Sequence, residues 1–305
     1  VVEADEFDKT FLQLSPTYSI INNLDLEHLD CYKNMDELQT SFIKFANSVP
    51  FYGEVILCAE SQPLMKISKN NKKPIVTYGT SPLADFRAIN IKYKTGKSFY
   101  NLVYNEKDFG QIIINAPGNH NVLNSLSAIA LGIELNIPFG KLKSGINNYR
   151  GVRRRFDIKE NNSEIMVVDD YAHHPTEVNA TITAAKTGWK KKIVSVFQPH
   201  LFTRTRDFYK EFAESLFQSD YIIITDIYPA REEPIKEISS QLIVKELKRL
   251  GHQNIIYIDN LTELNGTLDN LGLDNHMVIT MGAGDIWRYN DEYNDYLIKK
   301  NRATK

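Results

Sequence analysis

The chain has 305 residues, 42% of them hydrophobic and 24% charged, which is an ordinary soluble balance with length enough for two domains. Its formal net charge of −2 gives no reason to expect nucleic acid or an anionic membrane surface as partner. No apolar run approaches the roughly 20 residues of a membrane span, no signal peptide is visible, and Cys31 and Cys58 form neither a ligand spacing nor a disulfide framework, so a reducing compartment is the default.

The opening stretch "VVEADEFD" has no initiator Met and runs from an apolar pair straight into acids. It reads as the end of a strand entering a site, and as the start of a fragment. A strand is expected at 17–23 and a helix at 35–49, followed by short β-like runs at 54–58, 74–78, 85–93, 98–104 and 110–115. A long helix at 119–136 and a second after Pro138 complete this half. "YRGVRRRF" (149–156) then breaks the helical pattern with Gly and a basic cluster, which places a domain boundary near 149.

The second half has a steadier rhythm. Strands at 163–170, 191–198, 220–227, 254–259 and 276–282 alternate with helices at 175–188, 206–218, 239–251 and 261–271. Near-continuous apolar strands between amphipathic helices predict a parallel sheet covered on both faces, a doubly wound α/β domain. Ligands of such sheets bind beyond the carboxyl ends of the strands. Four of the five strand ends here carry acids, histidines, arginines or glycines: "DDYAHHP", "QPHLFTRTR", "DIYPAREEP" and "GAGDIW".

In "VVDDYAHHPTE" (167–177), Asp169 and Asp170 end a strand, Pro175 suits the first turn of the next helix and Glu177 is favoured there by the helix dipole. Adjacent histidines usually diverge, which argues against a metal at His173 and His174. Taken singly, His174 and Glu177 are as readily explained by capping a helix as by ligand binding. Arg204, beside His200, can bind a carboxylate or phosphate bidentately, whereas Arg206 reads as a solvated residue of the following helix. "RRR" (153–155) is a charge run whose place at the domain junction favours one arginine pointing inward. "GAGDIW" (282–287) lacks the third glycine of a dinucleotide fingerprint and closes the sheet instead of opening it. In the first half, Glu3, Asp5, Glu6, Glu27, His28 and Asp30 lie at strand ends and suit Mg²⁺ or Mn²⁺ beside phosphates. No Gly-x-x-x-x-Gly-Lys-[Ser/Thr] phosphate loop occurs.

The stretches "EADEFDKTFLQLSP", "NNLDLEHLD", "NSVPFYG", "APGNHNVLN", "GVRRRFD", "VVDDYAHHPTEV", "FQPHLFTRTRDF", "DIYPARE" and "GAGDIW" follow one another over essentially the whole chain. Together they resemble the Mur ligase family. The resemblance implies the remainder of a central ATPase domain at 1–149, followed by a Rossmann-like, doubly wound C-terminal domain at 150–305. It implies a cytoplasmic enzyme that uses ATP and Mg²⁺ to join L-alanine to UDP-N-acetylmuramate through an acyl phosphate, in peptidoglycan precursor synthesis. The alternatives are the related ligase that recycles whole peptides and a non-catalytic binding module. By the same resemblance, Glu3 and His28 would hold Mg²⁺, Asn121 and Asn124 would meet adenine, Arg155 the ATP phosphates and Asp170 the ribose. His173, His200 and Arg204 would face the acyl phosphate and the incoming alanine. Leu201 departs from the family, where many members carry Arg, and Ile43 stands where several carry a carbamylated lysine. The family's uridine-nucleotide domain and phosphate loop would precede this chain, so the 305 residues alone are expected to be inactive. Monomer and dimer are both left open.

Overall fold

Val55, Ile56 and Leu57 are completely buried in succession, the mark of a strand covered on both faces. They belong to β2 of a computed structural model that describes residues 1–25, 31–159, 164–272 and 274–303. The chain divides into two units: Val1–Lys92, Lys97–Asn115 and Asn119–Tyr149 form one, and Tyr93–Gly96, Ala116–Gly118 and Arg150–Lys305 the other.

The first unit runs β1 (Tyr18–Ile21), α1 (Met35–Asn47), β2 (Glu54–Cys58), α2 (Gln62–Ser68), β3 (Ile75–Gly79), β4 (Phe86–Lys94), β5 (Lys97–Tyr104), β6 (Lys107–Ile114), α3 (Asn119–Glu134) and α4 (Phe139–Asn148). Its six strands lie in chain order in one sheet. The pairs β1–β2, β2–β3 and β3–β4 are parallel, and β5–β6 is antiparallel. The loops after β4 and β5 are two residues long with both residues at positive φ, Thr95 and Gly96, then Asn105 and Glu106. Such turns match the twist of a hairpin. α1 begins where Asn34 Oδ1 accepts from the Glu37 amide at 2.9 Å, a local N-cap. Residues 1–6 form no strand, against expectation: Val1 and Val2 are exposed, and a strand needs a neighbour to take its backbone hydrogen bonds. The seven-residue α2, which the apolar pattern did not announce, is held by Leu64 and Ile67 alone among its fully buried side chains.

The second unit runs β7 (Asp157–Lys159), β8 (Met166–Asp170), α5 (Pro175–Gly188), β9 (Lys192–Phe197), α6 (Phe202–Leu216), β10 (Tyr221–Thr225), α7 (Gln241–Arg249), β11 (Ile255–Ile258), α8 (Leu264–Asn270), β12 (His276–Met281) and α9 (Ile286–Ala303). The sheet order is β11-β10-β9-β12-β8-β7, parallel except for the β7 edge. Successive strand residues supply opposite faces: Ile222 and Ile224 pack with Phe212 and Leu247, while Ile223 packs with Leu264 and Tyr293. Helices α5 to α7 therefore cover one face, and α8 and α9 the other. β12 inserts between β9 and β8, so the loop after β12 leads to the opposite face from the loops on either side. That reversal opens a crevice at the carboxyl edge. The expected doubly wound α/β unit is present, with α9 and the β7 edge in addition. Among the described residues no helix is long and apolar enough to cross a membrane.

Candidate active site at the carboxyl edge of the second sheet

Asp169 and Asp170 end β8, and both are buried. Asp170, expected at a ribose, accepts a backbone hydrogen bond on each oxygen: Oδ2 from the Phe156 amide and Oδ1 from the Ala172 amide, both at 2.8 Å. Burial pushes its carboxyl up to about 6, against the pull of those two amides. The carboxylate thus pins the "RRRF" segment, in which Arg154 and Phe156 have positive φ. Arg154 is the arginine that turns inward. Its Nε lies 3.4 Å from Asp169 Oδ2, its Nη2 donates to the Gly282 carbonyl at 2.8 Å, and its guanidinium sits 4.7 Å from the centre of the Tyr171 ring. Burial raises the Asp169 carboxyl, and Arg154 opposes that shift. Arg155 is more exposed, 3.4 Å from Glu177 Oε1.

The two adjacent histidines have different tasks. His174 is the N-cap of α5: its Nδ1 accepts from the Thr176 amide, and Glu177 reaches back to complete a capping box. Glu177 Oε2 accepts from the His173 amide at 3.0 Å and the His174 amide at 3.3 Å. Burial raises the Glu177 carboxyl, but His173, its amide and Arg155 together hold it below the ordinary range. His173 Nδ1 lies 2.9 Å from the Tyr171 carbonyl, which can only accept, so Nδ1 carries a proton, and the same atom is 3.3 Å from Glu177 Oε2.

His173 and His200 approach with ring centres 6.0 Å apart, and His200 stacks on Tyr228 at 5.7 Å. Arg204 was expected in the loop after β9. It lies in the first turn of α6, which starts at Phe202 and brings Arg204 Nη1 within 3.5 Å of His200 Nδ1. The residue before that helix, Leu201, has φ 73° and ψ 138°, a conformation that costs a non-glycine residue on the order of 1–3 kcal/mol. Arg206 pairs with Asp207 at 2.7 Å, as a solvated helix residue does. The glycines of "GAGDIW" serve close packing: a Cβ on Gly284 would stand 2.4 Å from Gln198 Oε1 and 2.5 Å from Tyr228 Cγ. Gln198 ties this loop to the one after β9, donating to Asp285 Oδ1 at 2.8 Å and accepting from the Ile286 amide at 3.2 Å. Tyr171, Arg154, Gln198 and Tyr228 were not singled out by sequence. Tyr171, an aromatic between two acids and two histidines, was the one with a signal.

In the first unit, Asn121 and Asn124 share one face of α3. Asn121 Nδ2 is 3.0 Å from His120 Nε2, and Asn124 is exposed. Glu3 is exposed in a segment without regular structure, and His28 lies outside the described residues. Among the described residues no group of three or more His, Cys, Asp or Glu side chains is placed to hold a metal ion.

Residues 1–132 match the Mur ligase middle domain, and residues 154–284 the Mur ligase glutamate ligase domain. The UDP-N-acetylmuramate–L-alanine ligase of Geotalea uraniireducens is 43% identical over 288 residues, 94% of this chain and 63% of that protein. The enzyme of the same name from Salinibacter ruber is 40% identical over 97% of this chain and 63% of its own length. The crystal structure of UDP-N-acetylmuramate-alanine ligase from Thermotoga maritima superposes with a TM-score of 0.77 at 27% identity, over 99% of this chain and 63% of that one. A murein peptide ligase from Psychrobacter arcticus shares the fold, with a TM-score of 0.64 at 19% identity over 94% of this chain and 59% of that one. The chain therefore spans less than two thirds of the length of each of these relatives. Two family domains in their order, over two sheets of the corresponding build, lead to one conclusion: the chain belongs to the Mur ligase family.

Proposed function

We propose that the protein containing these residues joins L-alanine to UDP-N-acetylmuramate, with ATP as co-substrate and Mg²⁺ as its counter-ion, in the cytoplasm. The observation that carries this reading is the convergence of His173, His200 and Arg204 at one sheet edge, in a chain 43% identical to a UDP-N-acetylmuramate–L-alanine ligase. In the proposed reaction a carboxylate oxygen of the muramyl group attacks the γ-phosphorus and ADP leaves. The alanine amine then attacks the acyl carbon, the C–N bond forms, phosphate departs and the nitrogen gives up a proton.

The charges fit such chemistry. Arg204 is permanently cationic and suits the alanine carboxylate or a phosphoryl oxygen. A guanidinium only donates, so His200 Nδ1 accepts from it, and the ring is neutral. It supplies hydrogen bonding without a second charge. His173 belongs to the same cluster, its ring centre 6.0 Å from that of His200. Catalysis by such a set is positioning and electrostatic stabilisation of developing charge. Asn121 and Asn124 are proposed to meet adenine, and Arg155 the phosphates. Asp170 is proposed to meet the ribose.

The test is phosphate release by the complete gene product with Mg-ATP and UDP-N-acetylmuramate, comparing L-alanine with the L-Ala-γ-D-Glu-diaminopimelate tripeptide. Release that depends on alanine is expected. Release with the tripeptide alone would assign the protein to peptide recycling.

A further inference from the structure

The helix that carries Arg204 has no cap of its own. Its N-cap residue, Leu201, makes no side-chain hydrogen bond to the first turn and sits at φ 73°. The amides of a first turn need partners, and here one comes from elsewhere in the chain. Glu232, in the loop after β10, accepts from the Thr203 amide through Oε2 at 3.1 Å and from the Thr203 hydroxyl through Oε1. A carboxylate is also favoured at this positive end of the helix dipole. The same loop grips the preceding residues: the Leu201 amide donates to the Tyr228 carbonyl at 3.0 Å, and the Tyr228 amide donates to the Pro199 carbonyl at 2.8 Å. Between them Tyr228 stacks on His200, with the ring planes 13° apart. The Glu232 amide closes its own turn on Pro229 at 2.9 Å.

From this clasp we infer that Glu232 is a positioning residue for the His200–Arg204 pair, fixing the first turn of α6 through Thr203 while Leu201 is held in its left-handed conformation. The inference rests on the ligase reading of this edge. Without Glu232 the first turn loses its cap, Leu201 relaxes, and the residue after Thr203, which is Arg204, loses its fixed direction toward His200. Binding of the amino acid should suffer before binding of nucleotide, because Asn121, Asn124, Arg155 and Asp170, the residues assigned to ATP, lie on other segments of the chain.

The experiment compares Glu232→Ala and Glu232→Gln with wild type in the complete gene product. Ligase kinetics are measured together with hydrogen exchange at the Thr203 amide. Gln keeps an oxygen for that amide and an NH₂ that can donate to the Thr203 hydroxyl, so it should act as the rescuing variant. For Glu232→Ala we expect Thr203 exchange to accelerate and the KM for L-alanine to rise about tenfold or more, with the KM for ATP within about twofold of wild type. Glu232→Gln should return both readouts to within about threefold of wild type. Unchanged Thr203 exchange in Glu232→Ala would overturn the cap. Faster exchange with an unchanged alanine KM would leave Glu232 a structural cap and overturn the positioning role. If Glu232→Ala does not fold, the same two criteria are read on Glu232→Asp, whose shorter side chain cannot span the contact. An inactive wild-type protein removes the ligase reading and the inference with it, an outcome distinct from an active wild type with an indifferent variant.

Discussion

His200 Nδ1 lies 3.5 Å from Arg204 Nη1, four residues along the chain. Burial, the Arg204 charge and the His173 ring together hold the His200 imidazole down at about 4. Its folded-state value is thus below its unfolded one, and the unfolded chain binds more protons between about 6.5 and 4. The stability associated with the neutral ring is complete above that window and lost as pH falls through it. Proton NMR of the His200 ring should show a midpoint near 4, and Arg204→Gln should move it upward. A wild-type midpoint above 6 would contradict the arrangement.

Asp170 has the opposite sign. Burial raises its carboxyl from 3.8 to about 6, so the folded state keeps the proton longer than the unfolded chain. Its contribution to stability is complete below 3.8 and lost as pH rises through about 6. Urea denaturation should show this falling component in wild type, and Asp170→Asn should flatten it. A carbon-13 carboxyl titration of Asp170 centred on the ordinary aspartate value would refute it.

Gly284→Ala should destabilise the second unit by about 1–3 kcal/mol, because the new methyl has nowhere to go between Gln198 and Tyr228. Gly266 is the control. It lies inside α8 with nothing within 4 Å of a built Cβ, so Gly266→Ala should stabilise by about 0.5–1 kcal/mol. Chemical denaturation of both variants decides the sign.

Glu177→Ala removes the acceptor for two amides at the start of α5. The expected loss is about 1 kcal/mol at neutral pH. The depressed carboxyl in wild type means that this contribution is present above the unfolded glutamate value of 4.5 and disappears as pH falls through the lower folded value. Denaturation curves of wild type and Glu177→Ala should converge in acid. A gap that stays constant with pH would remove the charged cap.

Short-range patterning sufficed wherever the signal was local. α5 was legible from end to end, since Pro175 opens it and Gly188 closes it. The five parallel strands of the second sheet were legible because two covered faces demand continuous apolar runs. Their alternation with helices implied the carboxyl edge as the place for chemistry. The order of motifs sufficed for the family. α9 escaped notice because its buried side is carried by Ile286, Asn290, Tyr293 and Leu297, only two of them aliphatic. α6 was expected to begin at 206 and begins at Phe202, because its cap comes from Glu232, 29 residues downstream of Thr203.

Side-chain partners required the folded chain. Among three consecutive arginines, Arg154 turns inward because Asp169 and the Gly282 carbonyl wait for it. Between two consecutive histidines, His174 caps the helix while His173 faces His200. Gln198 meets Asp285 across 87 residues of sequence. Helix and strand periods repeat every few residues and can be read in a short window. An ion pair or a trans cap joins residues that no local rule relates, and its partners come together once the sheet has set the order of its strands.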